Sequence, residues 1–474
     1  MATRLGDVEL EFRPDRAAIV EGTQDPAIRL WFSLRPAAPG RDGGFPSTVI
    51  VLLDCSGTVR RLRLDSEEAK RWAEVAMERS ELRAVRSDER TVFQVTGKTG
   101  EEMRASARSA LSIVAAALEK VAAGLHADDV CCLIGFATQA GVLYDGRRRL
   151  GVHTLQGVLR AIQQDSSFPA LGDATNMAEA ARIAANMLKS EPGVGRVRRL
   201  IIITDGIIHD QVESLRELDQ IRAEHIAVTT IGVGQEFDEE FLARIADSTG
   251  GAYYYAPTPE DIESRLAAEF GSLGSLSARG VVVSARGQEG AVVASIAQIG
   301  PQMRLFEEIR LNGDWVQVDI GDITGTAGVN LFGELSLPWL AVGKHAVGEV
   351  QIEWRDAESA EQRKTTHTVQ VDCLAANSPN PTVDPEVEEM FMRLQVFRAE
   401  RAAQWAQESG RLGAATVRLR EASTILRRLG APDLAERFEQ QASDLESQQT
   451  DSDRTKSLKD WVRRLAQNRK KQPE

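Results

Sequence analysis

Cysteine, positive charge and long apolar runs are all in short supply in this sequence of 474 residues. Its four cysteines, Cys55, Cys131, Cys132 and Cys373, show neither C-x-x-C nor metal-ligand spacing. Adjacent cysteines within one strand are also poor disulfide partners. A disulfide scaffold and a cysteine-based metal centre are thereby set aside, and buried free thiols in a reducing compartment are expected. Lys and Arg number 57 against 70 Asp and Glu, a formal net charge of −13. Phosphate contacts need clustered basic side chains, so this balance argues against a dedicated nucleic-acid binder. No apolar span reaches the ~20 residues that a transmembrane helix requires. The opening MATRLGDVELEF carries charge where a signal peptide needs an apolar stretch. A cytoplasmic protein without a membrane span is the expectation.

What the chain does contain changes character along its length. Residues 1–44 alternate apolar and polar positions, as in VELEF and IRLWFSL, and read as antiparallel strands closed by AAPGRDGGFP. Over 47–272 the pattern becomes strand–helix alternation. Apolar strands STVIVLLD, DVCCLIGFA, RRLIIITD and IAVTTIGVG are separated by helical stretches such as EEMRASARSALSIVAAALEKV, NMAEAARIAANML and VESLRELDQIRAE. This is the pattern of a doubly wound α/β domain with a mostly parallel sheet. Over 276–373 strands return, among them ARGVVVSA, MRLFEEIRL, DWVQVDI, GVNLFGELSL, HAVGEVQIEW and THTVQVDCL, with an Asn312-Gly313 turn. They suggest a β-sandwich. The N-terminal strands are too few to bury a face alone, so they are predicted to pair with the later ones. The α/β domain is then inserted between two parts of one sandwich. After ANSPNPTVDP, residues 384–474 read as helical, with segments 386–408, 412–429, 433–445 and 457–467 forming a small bundle.

Two of the apolar strands end abruptly in aspartate, Asp54 and Asp205. Ligands of open α/β sheets bind outside the carboxyl ends of strands, near the switch point. The two carboxylates are therefore candidates for one shared site. Asp54 is followed by Cys55-Ser56-Gly57-Thr58, and a further Gly172-Asp173-Ala174-Thr175-Asn176 precedes an amphipathic helix. Carboxylate and hydroxyl oxygens without soft ligands suit a hard divalent cation, Mg²⁺ or Mn²⁺.

Asp54-x-Ser56-x-Thr58, Thr175-Asn176 after glycine, and Thr204-Asp205-Gly206 fall in the order of the metal-ion-dependent adhesion site. Over about residues 47–270 the sequence resembles the von Willebrand factor A domain family. That resemblance implies that Ser56 and Thr58 bind the metal directly, and that Thr175 joins them directly or through water. Asp54 and Asp205 act mainly through bound waters and set the charge. A coordination position is left for an Asp or Glu of a partner protein, so the implied function is adhesion without catalysis. The resemblance further implies that the last helix of the domain, about 259–270, passes motion at the site to the sandwich. The family's first motif usually ends in serine, whereas Thr58 places its hydroxyl on a branched carbon of restricted χ1. An insertion over 59–100 also separates this motif from the first long helix. It either narrows the ligand face or decorates its side.

The outer strands and C-terminal helices resemble bacterial cytosolic proteins built around such a domain. Members of that group often work beside AAA+ ATPases of the MoxR type, which makes such an ATPase a candidate partner. Two other readings stay open. One is a structural scaffold whose metal site is degenerate. The other is a haloacid-dehalogenase-like phosphatase, since DCSGT differs by one residue from the D-x-D-G-T signature and Asp205 with Asp210 could supply its later acids. Ser56 stands where that chemistry needs its acid/base carboxyl. His209, just past Asp205, is a loop residue with no assigned role. The basic stretch RTKSLKDWVRRLAQNRKK reads as a solvated final helix or a contact for acidic membrane.

Overall fold

A computed structural model describes residues 2–446 apart from 6–7, 25, 37–44, 62–65, 88–89, 107–108, 149–151, 165–170, 192–195, 235, 259–260, 273–276, 307–309, 324–327 and 357–360. The expected final helix over 457–467 lies outside the described residues.

The chain opens with β1 (Ala2–Leu5), β2 (Val8–Pro14), β3 (Ala18–Val20) and β4 (Ala27–Pro36). The α/β unit follows: β5 (Ser47–Asp54), α1 (Gly57–Arg60), α2 (Ser66–Glu78), β6 (Leu82–Ser87), β7 (Arg90–Val95), α3 (Gly97–Ser106), α4 (Ala110–Ala122), β8 (Val130–Phe136), β9 (Ala140–Asp145), α5 (Val152–Gln164), α6 (Ala178–Lys189), β10 (Val197–Thr204), α7 (Gln211–Ala223), β11 (Ala227–Val233), α8 (Glu239–Thr249), β12 (Tyr253–Ala256) and α9 (Ile262–Ser272). Its sheet runs β12-β11-β10-β5-β8-β9, with only the β9 edge antiparallel.

Every residue of β5 and of β11 is buried, because helices cover both faces. The side-chain period of two divides each strand between two cores. Val49, Val51 and Leu53 pack with Val114, Leu118, Leu159 and Leu266 of α4, α5 and α9. Ile50 and Leu52 pack with Ala184, Leu188, Leu218 and Leu242 of α6, α7 and α8. The turn from α8 into β12 leaves no room for a side chain, since a Cβ on Gly251 would lie 2.1 Å from the Val228 carbonyl oxygen. Gly251→Ala is expected to cost about 1–3 kcal/mol as the backbone gives way, read as a lowered urea midpoint at unchanged slope.

The stretch expected to form one helix over EEMRASARSALSIVAAALEKV is two. Ser109 begins α4 afresh, its Oγ accepting the Ser112 N–H at 3.1 Å. Within the insertion, α2, the β6–β7 hairpin and α3 pack chiefly on one another, and the Glu81 carboxylate accepts the Lys98 and Thr99 N–H groups at the start of α3.

The remaining strands are β13 (Ala278–Gly287), β14 (Val292–Gly300), β15 (Arg304–Leu305), β16 (Arg310–Asn312), β17 (Trp315–Ile323), β18 (Val329–Ser336), β19 (Gly343–Asp356) and β20 (Gln362–Leu374). They form two sheets, β1-β2-β4-β18-β14-β15 and β16-β17-β13-β19-β20-β3. The N-terminal strands pair with the later ones in both, β4 antiparallel to β18 and β3 parallel to the end of β20. MRLFEEIRL, read as one strand, is split: β15 closes the first sheet and β16 the second.

Alternation along β4 shows how three layers form. Ile28, Leu30, Phe32 and Leu34 face the second sheet, with Val283, Ile352 and Val371. Trp31 faces outward with Ile299 and Phe332, beneath α10 (Pro385–Glu408), α11 (Leu412–Arg428) and α12 (Pro432–Glu446). Asp384 caps α10 through the Glu386 and Val387 N–H groups, with Pro385 in the first turn. Arg13 holds that cap to β2 by pairing with Asp384 and Glu386.

The sandwich meets the α/β unit at the N-terminal ends of its parallel strands. The Gln302 amide bonds both the N–H and the carbonyl of Tyr253, each at 3.2 Å, which occupies the open edge of β12. His225 and Asp319 pair at 3.1 Å, and Arg279 donates to the Arg196 carbonyl. The C-terminal ends of the strands are left at the far pole.

Candidate metal centre

The pairing of β5 with β10 ends at Leu53 opposite Ile203, so Asp54 and Thr204 emerge side by side. Asp54 is 1% exposed. One carboxylate oxygen accepts the Ser56 N–H at 2.8 Å, and the other accepts the Thr204 hydroxyl at 2.5 Å. Ser56 Oγ and Thr58 Oγ1 stand 3.0 Å apart, and the Thr58 hydroxyl donates to Asp205 Oδ1 at 2.8 Å. Thr175 reaches the same point from a third segment. A Cβ on Gly206 would lie 3.1 Å from Thr175 Oγ1, 3.5 Å from Thr58 Oγ1 and 3.8 Å from Asp54 Oδ2. Glycine keeps that space open. All five residues singled out from the sequence are thus gathered at the switch point of the sheet.

The loop that delivers Thr175 is fixed by Thr138, which the sequence reading did not single out, and by Asp210 and His209, which it noted without tying them to this loop. Thr138 Oγ1 accepts the N–H groups of Asp173 and Ala174, each at 3.1 Å. Gly172, at φ +98°, brings the loop so close to Thr138 that a Cβ would sit 2.4 Å from the same Oγ1. The Gly57 N–H donates to the Asp173 carbonyl, and the Asn176 N–H to that of Ala137. Asp210 serves this loop rather than the metal pole: its carboxylate accepts the Met177 and Ala178 N–H groups and the Ser214 hydroxyl. His209 accepts the Thr175 N–H on its ring Nδ1 at 3.4 Å, and its backbone N–H donates to the Thr175 carbonyl at 2.9 Å. Thr138 has no local sequence signature, and the hydrogen bonds of Asp210 and His209 to this loop are not visible in the sequence.

Burial pushes the Asp54 carboxyl up to about 7, and the nearby Asp205 charge adds to the rise, against hydrogen bonds from Thr204 and Ser56. Two carboxylates sharing one largely desolvated pole are costly without a positive charge between them. The donor set is all oxygen, two carboxylates and three hydroxyls. Among the described residues no three His, Cys, Asp or Glu side chains cluster as a metal site, so a cation here would depend on the hydroxyls. That suits Mg²⁺, which takes few carboxylates and keeps several waters. Burial also raises the Cys55 thiol far out of the nucleophilic range. The four cysteines are free and buried.

Comparisons with known proteins agree with this fold. Residues 99–255 match the family model of the von Willebrand factor type A domain, and residues 385–468 that of the Sll0103-like C-terminal alpha-helical domain. Thr175 and Asp205 fall within the first match, while Asp54, Ser56 and Thr58 precede it. The uncharacterized protein sll0103 of Synechocystis sp. (strain ATCC 27184 / PCC 6803 / Kazusa) is 25% identical over 228 residues, 47% of this chain and 54% of that protein. The chain therefore spans about half the length of this curated relative. The solved von Willebrand factor type A protein from Catenulispora acidiphila aligns over 96% of both chains with a TM-score of 0.65 at 13% identity. The ArnB paralog VWA2 from Sulfolobus acidocaldarius aligns over 97% of this chain and 98% of its own, with a TM-score of 0.50 at 14% identity. At such identities the likeness is one of fold, and it extends over nearly the whole chain. No helix among the described residues is long and apolar enough to cross a membrane.

Proposed function

We propose, from the premise that the α/β unit is a von Willebrand factor type A domain of the kind that generally serves protein interaction without catalysis, that this protein binds a partner through a divalent cation. Mg²⁺ or Mn²⁺ would be held by the hydroxyls of Ser56, Thr58 and Thr175, with Asp54 and Asp205 supplying charge mainly through bound waters. An Asp or Glu of the partner protein would complete the coordination. The observation that carries this reading is the meeting of those five residues from three segments at one pole. The sandwich packs at the opposite, N-terminal ends of the strands. A cation bound there would supply a positive charge that no side chain of the set provides. The residues themselves fix the hydroxyls and exclude bulk water from Asp54, and Gly206, lacking a Cβ, lets the oxygens of Thr175, Thr58 and Asp54 approach it closely. On the resemblance alone, an AAA+ ATPase of the MoxR type is a candidate partner.

Calorimetric titration with Mg²⁺ and Mn²⁺ tests this. One saturable site is expected in the native protein, lost in Asp54→Ala, weakened at least ~10-fold in Thr58→Ala and retained in Thr58→Ser, since only the serine keeps the hydroxyl. Absence of binding in the native protein would return the chain to the degenerate-scaffold reading.

A further inference from the structure

The strand–helix connection that carries Asp205 also carries an apolar rim. Ile207 is 56% exposed and Val212, in the first turn of α7, is 61% exposed, whereas Ile208 between them is 2% exposed. Burying Ile208 satisfies the core, so its two exposed neighbours contribute little to folding. Between them stands His209. Its Nδ1 accepts the Thr175 N–H, which places the ring proton on Nε2 and makes the exposed ring a donor. The ring is held beside Thr175, one of the three hydroxyl residues of the centre. Across the pole, the Arg60 guanidinium is already committed, paired with the Asp173 carboxylate and donating to the Gly172 carbonyl. This rim therefore presents two aliphatic side chains and a ring N–H donor, while Arg60 is engaged by Asp173 and Gly172.

Resting on the metal-dependent reading above, we infer that His209, Ile207 and Val212 select the partner segment. The occupant they fit is a short stretch of a partner protein in which an Asp or Glu is directly flanked by a large aliphatic or aromatic side chain. The carboxylate is drawn by the cation, and its second oxygen accepts from His209 Nε2. The flanking side chain covers Ile207 and Val212, exposed apolar surface whose burial favours association. A chain of net charge −13 repels acidic segments elsewhere on its surface, which confines such a segment to the cation-bearing pole.

The test uses the full chain, Mn²⁺ and immobilised decapeptides with one central Glu flanked by Leu and Phe, the same Glu flanked by Ser, or Gln flanked by Leu and Phe. The Leu/Phe-flanked Glu peptide is expected to bind at least ~10-fold more tightly than the Ser-flanked one, and the Gln peptide not measurably. Ile207→Ser with Val212→Ser should abolish the preference while calorimetry shows Mn²⁺ binding unchanged. His209→Ala should weaken both Glu peptides severalfold, with partial rescue by His209→Gln, which restores an N–H donor. Equal binding of the two Glu peptides, or a preference that survives the double substitution, overturns the inference and leaves the metal reading standing. Failure of Mn²⁺ to bind the native protein overturns both.

Discussion

In the absence of metal, Asp54→Asn is expected to stabilise the protein at pH 8 by up to about 4 kcal/mol and to erase its response to Mg²⁺ or Mn²⁺. The sign follows from where the Asp54 proton sits. Its carboxyl is pushed up to about 7 in the fold, against about 3.9 in an unfolded chain. Between those values the folded chain keeps a proton that the unfolded chain has released, so stability falls as pH rises from about 4 to 7. Above that range the full cost of a buried carboxylate is felt. Asparagine removes the titration but keeps the shape. Its oxygen can still accept the Ser56 N–H, and its amide can donate to Thr204 Oγ1 while that hydroxyl turns to the Gly206 carbonyl, 3.4 Å away. Cation binding has the opposite pH dependence, because it requires the carboxylate. Affinity in the native protein should rise as pH climbs towards 7, by up to about 10-fold per unit, and level off above it. Thermal melts from pH 5 to 8, with EDTA or Mn²⁺, separate the two effects. A variant less stable than the native protein at pH 8 without metal would show that Asp54 is not a source of stored electrostatic cost.

The same site shows which parts of a chain announce themselves. STVIVLLD and RRLIIITD are legible because strands buried on both faces must be continuously apolar, so the aspartate that ends each run stands out. The C-terminal helices are legible because Gly410 and Gly430 adopt positive φ where each helix ends and Asp384-Pro385 starts the first. The second sandwich hairpin is legible to within one residue: the turn expected at Asn312-Gly313 is made by Gly313-Asp314, with Gly313 at φ +60° and Asn312 still paired with Trp315. Information that is not local is lost. The break between α3 and α4 is hidden because Ser109 sits in a stretch whose apolar spacing fits one long helix. The edge strand β9 is short and partly exposed, which weakens its alternation. The split of MRLFEEIRL between two sheets is dictated by which neighbours each half meets, as is the anchoring of the Thr175 loop by Thr138 and Asp210. The motif names the oxygens of the site; distant hydrogen bonds hold them at one point.

Phe332→Ala is expected to destabilise the protein by about 3–5 kcal/mol, the range for emptying a fully buried aromatic site. The residue is completely buried on the outer face of β18, beside Trp31, Ile299 and Leu394, with its ring stacked near that of Phe391 at 5.7 Å. Arg29 packs its guanidinium over the other ring of that pair, at 3.5 Å from the Phe391 centroid, and pairs with Glu388. The core between the two sheets lies on the opposite face of the same strands, so β4 and β18 belong to both cores at once. A helical layer held in this way shields the sheet beneath it: Trp31 and Phe332 are buried under its side chains. The consequence is cooperativity. Urea unfolding followed by far-ultraviolet circular dichroism and by tryptophan fluorescence should shift together in Phe332→Ala, with sandwich and helices lost in one transition. Separate transitions, with the helical signal unmoved, would mean that residues from Pro385 onward fold on their own core and merely rest on the sheet. The burial pattern of β4, alternating between Phe32 on one side and Trp31 on the other, favours the single transition.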